Sequence, residues 1–347
     1  MPADTRQRTG LIGSAMGFFK RHKRVVQAVV LVLIVGFVAT AVWKSWSSLR
    51  NYQWHVQWGL LVAAFALLVV QEFSFAVIWR AILRRMGSNL DMISAQRIYL
   101  GAEFVRYIPG NVWHVITRVL WAEQRGVPKS AGFASMVVEL ATKLASGALV
   151  FALTLFFWSD AGAAAKALPP DSLAIAGVLL VALLLFGLHP RVLKGALNFG
   201  LKKLGREPVR FSLSYFDILI VTLFWLVSWV IAGAGFYLLV RSLVSTPLPA
   251  TALILAIGIY AIGWDIGFLA FVTPSGVGFR ELAIGGLVIA AGLAPAAAGV
   301  AAVIAILARL LSTGAELLSI SVAHAIRGPA LPDISAQEQA QAQASAR

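Results

Sequence analysis

The stretch WGLLVAAFALLVVQEFSFAVIW, residues 58–79, decides the class of fold. It stays apolar almost all the way round for longer than the ~20 residues a bilayer crossing requires. A surface helix of a soluble protein would keep one polar face. VVQAVVLVLIVGFVATAVW (25–43) and SLAIAGVLLVALLLFGL (172–188) read the same way, in a chain of 347 residues that is 59 % hydrophobic. The expectation is an all-α polytopic membrane protein. The run at 25–43 is too long for a signal-peptide core and has no small-residue cleavage site, so it reads as a retained anchor.

Charge is arranged by side rather than by patch. Six basic residues precede the first run, four (Arg80, Arg84, Arg85, Arg97) follow the second, and six lie in RVLKGALNFGLKKLGREPVR, residues 191–210. The connections between carry only Lys44 and Arg50, then Lys166, then Arg241. This alternation places the N-terminus and the 191–210 loop in the cytoplasm, with the inner (plasma) membrane as the expected location. It also accounts for most of the formal net charge of +14 without nucleic acid. The absence of cysteine excludes disulfides, thiolate catalysis and thiolate metal sites.

Residues 1–19 read as a polar cytoplasmic segment, 20–327 as one membrane domain, and 328–347 as a disordered tail poor in large apolar residues. The domain divides at the basic loop 191–210 into halves of about 20–190 and 211–327. In the first half, runs at 25–43 and 58–79 lead to a charged, broken segment at 95–121, followed by runs at 131–158 and 172–188. In the second, runs at 215–240 and 249–272 lead to FVTPSGVGFRELAIGGL (271–287), and 296–325 closes the chain. Both breaks start with Phe-Val, at 104–105 and 271–272, and soon reach Pro109 and Pro274. Proline removes a backbone donor, and Gly110, Gly276 and Gly278 permit sharp turns. Interrupted segments at matching places in two halves point to a transport site built on re-entrant elements. The pattern predicts about seven to eight transmembrane helices in two inverted-repeat-like halves; a re-entrant 271–287 would leave the tail opposite the N-terminus, and a spanning one would put both ends in the cytoplasm.

Charged residues inside apolar segments are the next signal, because each costs ~2.5–3.5 kcal/mol at the bilayer centre. Glu72, Glu103, Arg106, Arg118, Glu139, Lys143, Asp265, Arg280, Glu281, Arg309 and Glu316 all lie in or beside such segments. Glu103 with Arg106, Glu139 with Lys143, and Arg309 with Glu316 share helical faces, which makes Glu103, Glu139, Lys143 and Glu316 candidates for structural ion pairs. Asp265 has no local partner and must find one across the bundle. Basic residues gather at both breaks, which structural locking leaves unexplained and a net-basic cavity for an anionic ligand explains. Tyr107, Trp113, His114 and Trp121 add aromatic and polar edges to the first break, with Trp121 read as an interfacial anchor. No second histidine stands near His114, so no metal site is expected.

The two breaks, YIPGNVWH (107–114) and TPSGVGFRELA (273–283), together with Arg309 in the last long helix, resemble the lysylphosphatidylglycerol synthase transmembrane-region family. These are flippase-like membrane domains related to the N-terminal part of multiple peptide resistance factor. The second motif, with Pro274, Gly276, Gly278, Arg280 and Glu281, is the more specific. Asn111 stands where a basic residue is common, Ser275 replaces a glycine, and Phe279 replaces a small aliphatic residue. The resemblance covers about residues 20–325 and implies a role in moving lipids with polar headgroups between leaflets. The full-length synthases carry a soluble aminoacyl-transfer domain, for which this chain has no room, so lysyl transfer by the chain alone is not expected.

The reading that follows is a transporter, not an enzyme: a flippase for an anionic, aminoacylated or glycosylated lipid. Arg106, Arg118 and Arg280 are expected to hold the phosphate, with Arg309 handing it on. Glu103, Glu281 and Asp265 would balance those charges or take a headgroup amine. Tyr107, Pro109, Gly110, His114, Pro274, Ser275, Gly276 and Gly278 complete the expected substrate path. No cofactor is expected, and no G-x-x-x-x-G-K-[ST] loop is present to power transport with nucleotide. The expected partners are membrane lipids, with a second copy of the chain or a lipid-modifying enzyme as further candidates. Two other classes compete: a membrane-embedded transferase acting on a lipid carrier, and a non-catalytic accessory subunit of envelope assembly. Scattered acids without a D-x-D cluster weigh against the transferase.

Overall fold

A computed structural model of the chain describes residues 54–105, 113–158, 172–203, 213–270, 276–294 and 298–326, with Gly36, Trp43, Arg50 and Tyr52. The described residues form α1 (Trp58–Arg85), α2 (Met92–Val105), α3 (Trp113–Glu123), α4 (Lys129–Thr154, extended by a 3-10 turn at Leu155–Phe157) and α5 (Ser172–Gly187). After them come α6 (Pro190–Lys203), α7 (Tyr215–Leu243), α8 (Ala252–Leu269), α9 (Phe279–Ala290) and α10 (Ala298–Ala325). The all-α membrane class holds. Five helices are long and apolar enough to cross a bilayer (α1, α4 with its turn, α7, α8 and α10), or six if α5 is counted with the start of α6.

The expectation of seven to eight spans differs from this for two reasons. The run expected at 25–43 falls outside the described residues apart from Gly36 and Trp43. The broken segments become short helices: α2, α3 and α9 have 14, 11 and 12 residues, each below the ~20 needed to cross alone.

Local chemistry sets several of the ends. Arg84 and Arg85 occupy the last turn of α1, where cations complement the helix dipole. Asp91 caps α2, its Oδ1 accepting from the Ser94 N–H at 2.8 Å. Ser214 and Asp217 form a capping box at the start of α7.

The most extensive helix pair is α1 with α7, and the most buried span, α8, lies against α4, α7 and α9. Apolar helices gain little from desolvation in lipid, so close backbone approach at small residues does the work. Gly233 of α7 lies against the backbone of Ile257, and a Cβ at Gly258 would come 2.7 Å from Thr154 Cγ2 of α4. A Cβ at Gly263 would come 2.5 Å from Ile284 of α9. Trp79, Trp225 and Trp229 fill the interior. By contrast α5 buries only Gly177 and exposes Ile175, Val178, Leu179, Leu183 and Phe186, the pattern of a peripheral helix facing acyl chains.

Candidate functional site

The polar interior is built on α4. Its buried face carries Ser135, Glu139, Thr142, Lys143 and Ser146 at helical spacing, with Thr154 two turns further along the same stripe. The hydroxyls are satisfied within the helix, Thr142 donating to the Val138 carbonyl and Ser146 to that of Lys143, both at 2.7 Å. The Ser135 and Ser146 oxygens also accept the indole N–H groups of Trp79 and Trp229, each at 2.9 Å. Two of the largest buried side chains thereby become polar ties between helices.

One ionic knot joins four helices. Arg118 Nη2 of α3 lies 2.6 Å from Glu139 Oε2, and the Tyr99 hydroxyl of α2 donates to Glu139 Oε1 at 2.7 Å. The Arg118 guanidinium sits 4.2 Å from the Tyr99 ring centroid and 5.1 Å from that of Trp79 on α1. Both partners are buried, so each answers a charge that would otherwise stand alone in a dry interior. The knot fastens both arms of the first broken segment to α1 and α4.

One turn further along α4, Lys143 Nζ lies 3.8 Å from the centroid of Phe75 (α1), 4.0 Å from Trp264 (α8) and 5.0 Å from Trp225 (α7). Three aromatic faces from three helices therefore receive one ammonium. Asp265 of α8, 3 % exposed, rests on the backbone of α4 at Gly147, where a Cβ would come 2.9 Å from its Cγ. Neither Asp265 oxygen makes a full hydrogen bond, and the cation acting on it is Lys143. The cross-bundle partner that the sequence demanded for Asp265 is thus supplied by α4.

The second break leads into α9. Gly278 takes φ 90° and Gly276 φ 66°, a left-handed region costly for any other residue. A Cβ at Gly276 would also collide with the Gly267 carbonyl of α8. The Gly278 N–H donates to Glu281 Oε2, and Glu281 Oε1 lies 3.8 Å from Arg309 Nη1 of α10. Arg280 points inward across Gly267, which has no side chain to block it, and lies 5.1 Å from the Tyr260 ring. It is 7 % exposed, and its Nε and Nη2 find no hydrogen-bond acceptor among the described residues.

Measured against the sequence, Arg118, Asp265, Gly276, Gly278, Arg280, Glu281 and Arg309 lie in this interior. Glu139, expected to pair with Lys143, has its short ion pair with Arg118, which α3 brings to it from outside α4. Arg309, on the same helix as Glu316, also reaches Glu281 of α9. Trp121, read as an interfacial anchor, is buried in the core at 5 % exposure. His114 lies one turn before Arg118 on α3, Glu103 near the end of α2, and Glu316 on α10, the last two half-buried. Arg106, Tyr107, Pro109, Gly110, Pro274 and Ser275 fall outside the described residues. No cluster of three or more His, Asp or Glu residues with metal-binding geometry lies among the described residues. Sequence reasoning missed Tyr99, Phe75, Trp225 and Tyr260, the aromatic partners of the buried cations. For Phe75, Trp225 and Tyr260 the signal was available: aromatic residues inside spans, away from the interfacial belts.

These features define a polytopic helical membrane protein whose span interior is ionic rather than purely apolar. Residues 25–315 match the family model described as the lysylphosphatidylglycerol synthase TM region, and the chain belongs to that family. Membership assigns it a function connected with membrane lipids. No curated protein matches the sequence.

Proposed function

We propose that the protein is a flippase that carries a lipid with an anionic, polar headgroup between leaflets of the inner membrane, its N-terminus in the cytoplasm. The barrier to such movement is the hydrocarbon core, which a protein lowers by offering the headgroup a polar path while acyl chains stay in lipid. Arg280 carries this reading. A buried guanidinium with two nitrogens unanswered is costly unless something answers them, and a phosphodiester has the oxygen geometry to do so. The N-terminus of α9, where Arg280 sits, adds a favourable potential for an anion. Glu281 and Arg309 hold the turn in place. An amine on an aminoacylated headgroup would compete with Lys143 for Asp265, whose oxygens make no side-chain hydrogen bond among the described residues. Arg118 is committed to Glu139 and serves as scaffold on this reading.

The test is leaflet exchange in liposomes holding the purified protein, using fluorescent lipids with neutral, anionic, lysylated and glycosylated headgroups. Anionic or aminoacylated lipids should exchange selectively. Arg280→Gln should slow that exchange about 10- to 100-fold, the loss of a charge-assisted hydrogen bond of ~1.5–3 kcal/mol. Exchange of every lipid alike, exchange indifferent to Arg280→Gln, or no exchange from folded protein would each refute the proposal.

A further inference from the structure

Helix α6 packs chiefly against α5 rather than against the helices of the ionic interior, and its chemistry asks for a different ligand. It begins at Pro190, three residues beyond the end of α5, with its axis turned 78° from that of α5. If α5 runs across the membrane, α6 runs along it. The level of the elbow is fixed by three contacts. The Tyr215 hydroxyl at the start of α7 donates to the Leu185 carbonyl of α5 at 3.0 Å. The His189 ring lies 5.3 Å from that of Tyr215. Asp217, one turn into the same cap, lies 3.4 Å from Arg85 in the last turn of α1. The ends of α1 and α5 and the beginning of α7 therefore meet at one membrane boundary, and α6 starts there.

The sequence of α6 is two-faced. Of its four cations, Arg191, Lys194 and Lys202 fall within about a quarter of its circumference at 100° per residue, with Val192, Leu193 and Phe199 on the other side; the fourth, Lys203, is the terminal residue and falls outside that arc. Leu193 is buried at the elbow, whereas Phe199 is 65 % exposed. Four cations along 14 residues exclude a continuation through hydrocarbon, and an exposed phenylalanine fits poorly with free water. The headgroup–acyl boundary accommodates both faces.

We infer that α6 is an interfacial helix whose basic face binds anionic phospholipid headgroups at the boundary shared by the ends of α1 and α5. This surface is separate from the proposed translocation path. It gives Arg191, Lys194 and Lys202 a ligand beyond their part in setting topology. A soluble acidic protein is the competing occupant; the exposed aromatic beside the basic face and the elbow's position at the membrane boundary favour lipid.

The chain has no cysteine, so Phe199→Cys gives a single labelling site for a fluorophore. The full-length protein would be placed in phosphatidylcholine vesicles containing phosphatidylglycerol, with either lipid carrying a quencher near its headgroup. Quenching by labelled phosphatidylglycerol should exceed that by labelled phosphatidylcholine, and the excess should fall as salt rises. Adding Arg191→Gln and Lys202→Gln should lower the relative association constant for phosphatidylglycerol by about fivefold per charge. Both side chains are exposed, so the changes leave the packing alone. Equal quenching by the two lipids in the unsubstituted background would overturn headgroup binding. Absence of quenching by either would overturn the interfacial placement, and the selectivity of that background decides the matter even if the doubly substituted protein is lost.

Discussion

Glu139→Gln removes the counter-charge of Arg118 and leaves a guanidinium, 3 % exposed, in the interior. The ion pair it breaks is short, 2.6 Å from Nη2 to Oε2, and the same carboxylate accepts from Tyr99 at 2.7 Å. At an effective dielectric near 20, opposite charges about 4 Å apart attract by about 4 kcal/mol. That agrees with the ~3–5 kcal/mol by which removing one partner of a buried pair commonly destabilises a fold. Tyr99→Phe deletes one charge-assisted hydrogen bond while keeping the ring over Arg118, so it should cost less, about 1.5–3 kcal/mol. Reversible unfolding in mixed micelles of increasing denaturing detergent measures both variants against the wild type. The decisive variant is Arg118→Met combined with Glu139→Gln, which removes both charges. It should recover at least ~2 kcal/mol of the stability that Glu139→Gln forfeits, because the penalty is an unanswered charge rather than an absent hydrogen bond. A double variant no more stable than Glu139→Gln, or a Glu139→Gln cost below ~1 kcal/mol, would refute the knot as the clamp on α2 and α3.

Two further perturbations test other elements. Gly276→Ala should prevent accumulation of folded protein, since it combines φ 66° with a collision against the Gly267 carbonyl, neither of which can shift. Gly286→Ala on α9 meets nothing within 4 Å and should leave stability unchanged or slightly raised, so the pair read side by side in a detergent-stability assay isolates the close approach of α8. Asp91→Ala should lower stability by about 1 kcal/mol at neutral pH through loss of the α2 cap. The Ser94 backbone N–H holds the Asp91 carboxyl below its ordinary value of 3.8, so the ionised cap contributes fully above that pH. Its contribution disappears as pH falls through the lowered folded value. Thermal unfolding should therefore show the wild type and Asp91→Ala converging as pH drops below about 4.

The sequence alone carried the membrane class, because an apolar run long enough to cross a bilayer needs no tertiary information to be recognised. It also located the breaks, since proline and glycine act on the backbone where they stand, and the motifs YIPGNVWH and TPSGVGFRELA pointed to the family. The presence of charges at membrane depth was equally legible. Their partners were not. Helical spacing offered Lys143 to Glu139, but the bundle gave Glu139 to Arg118 and surrounded Lys143 with the rings of Phe75, Trp225 and Trp264. Those choices depend on interhelical distances of a few ångströms, which small residues far apart in the chain set together. Gly147 lets Asp265 reach α4, Gly258 brings α8 against Thr154, and Gly267 opens the way for Arg280. A charge in a low-dielectric interior takes whatever partner the packing brings nearest, and only the folded bundle fixes which that is.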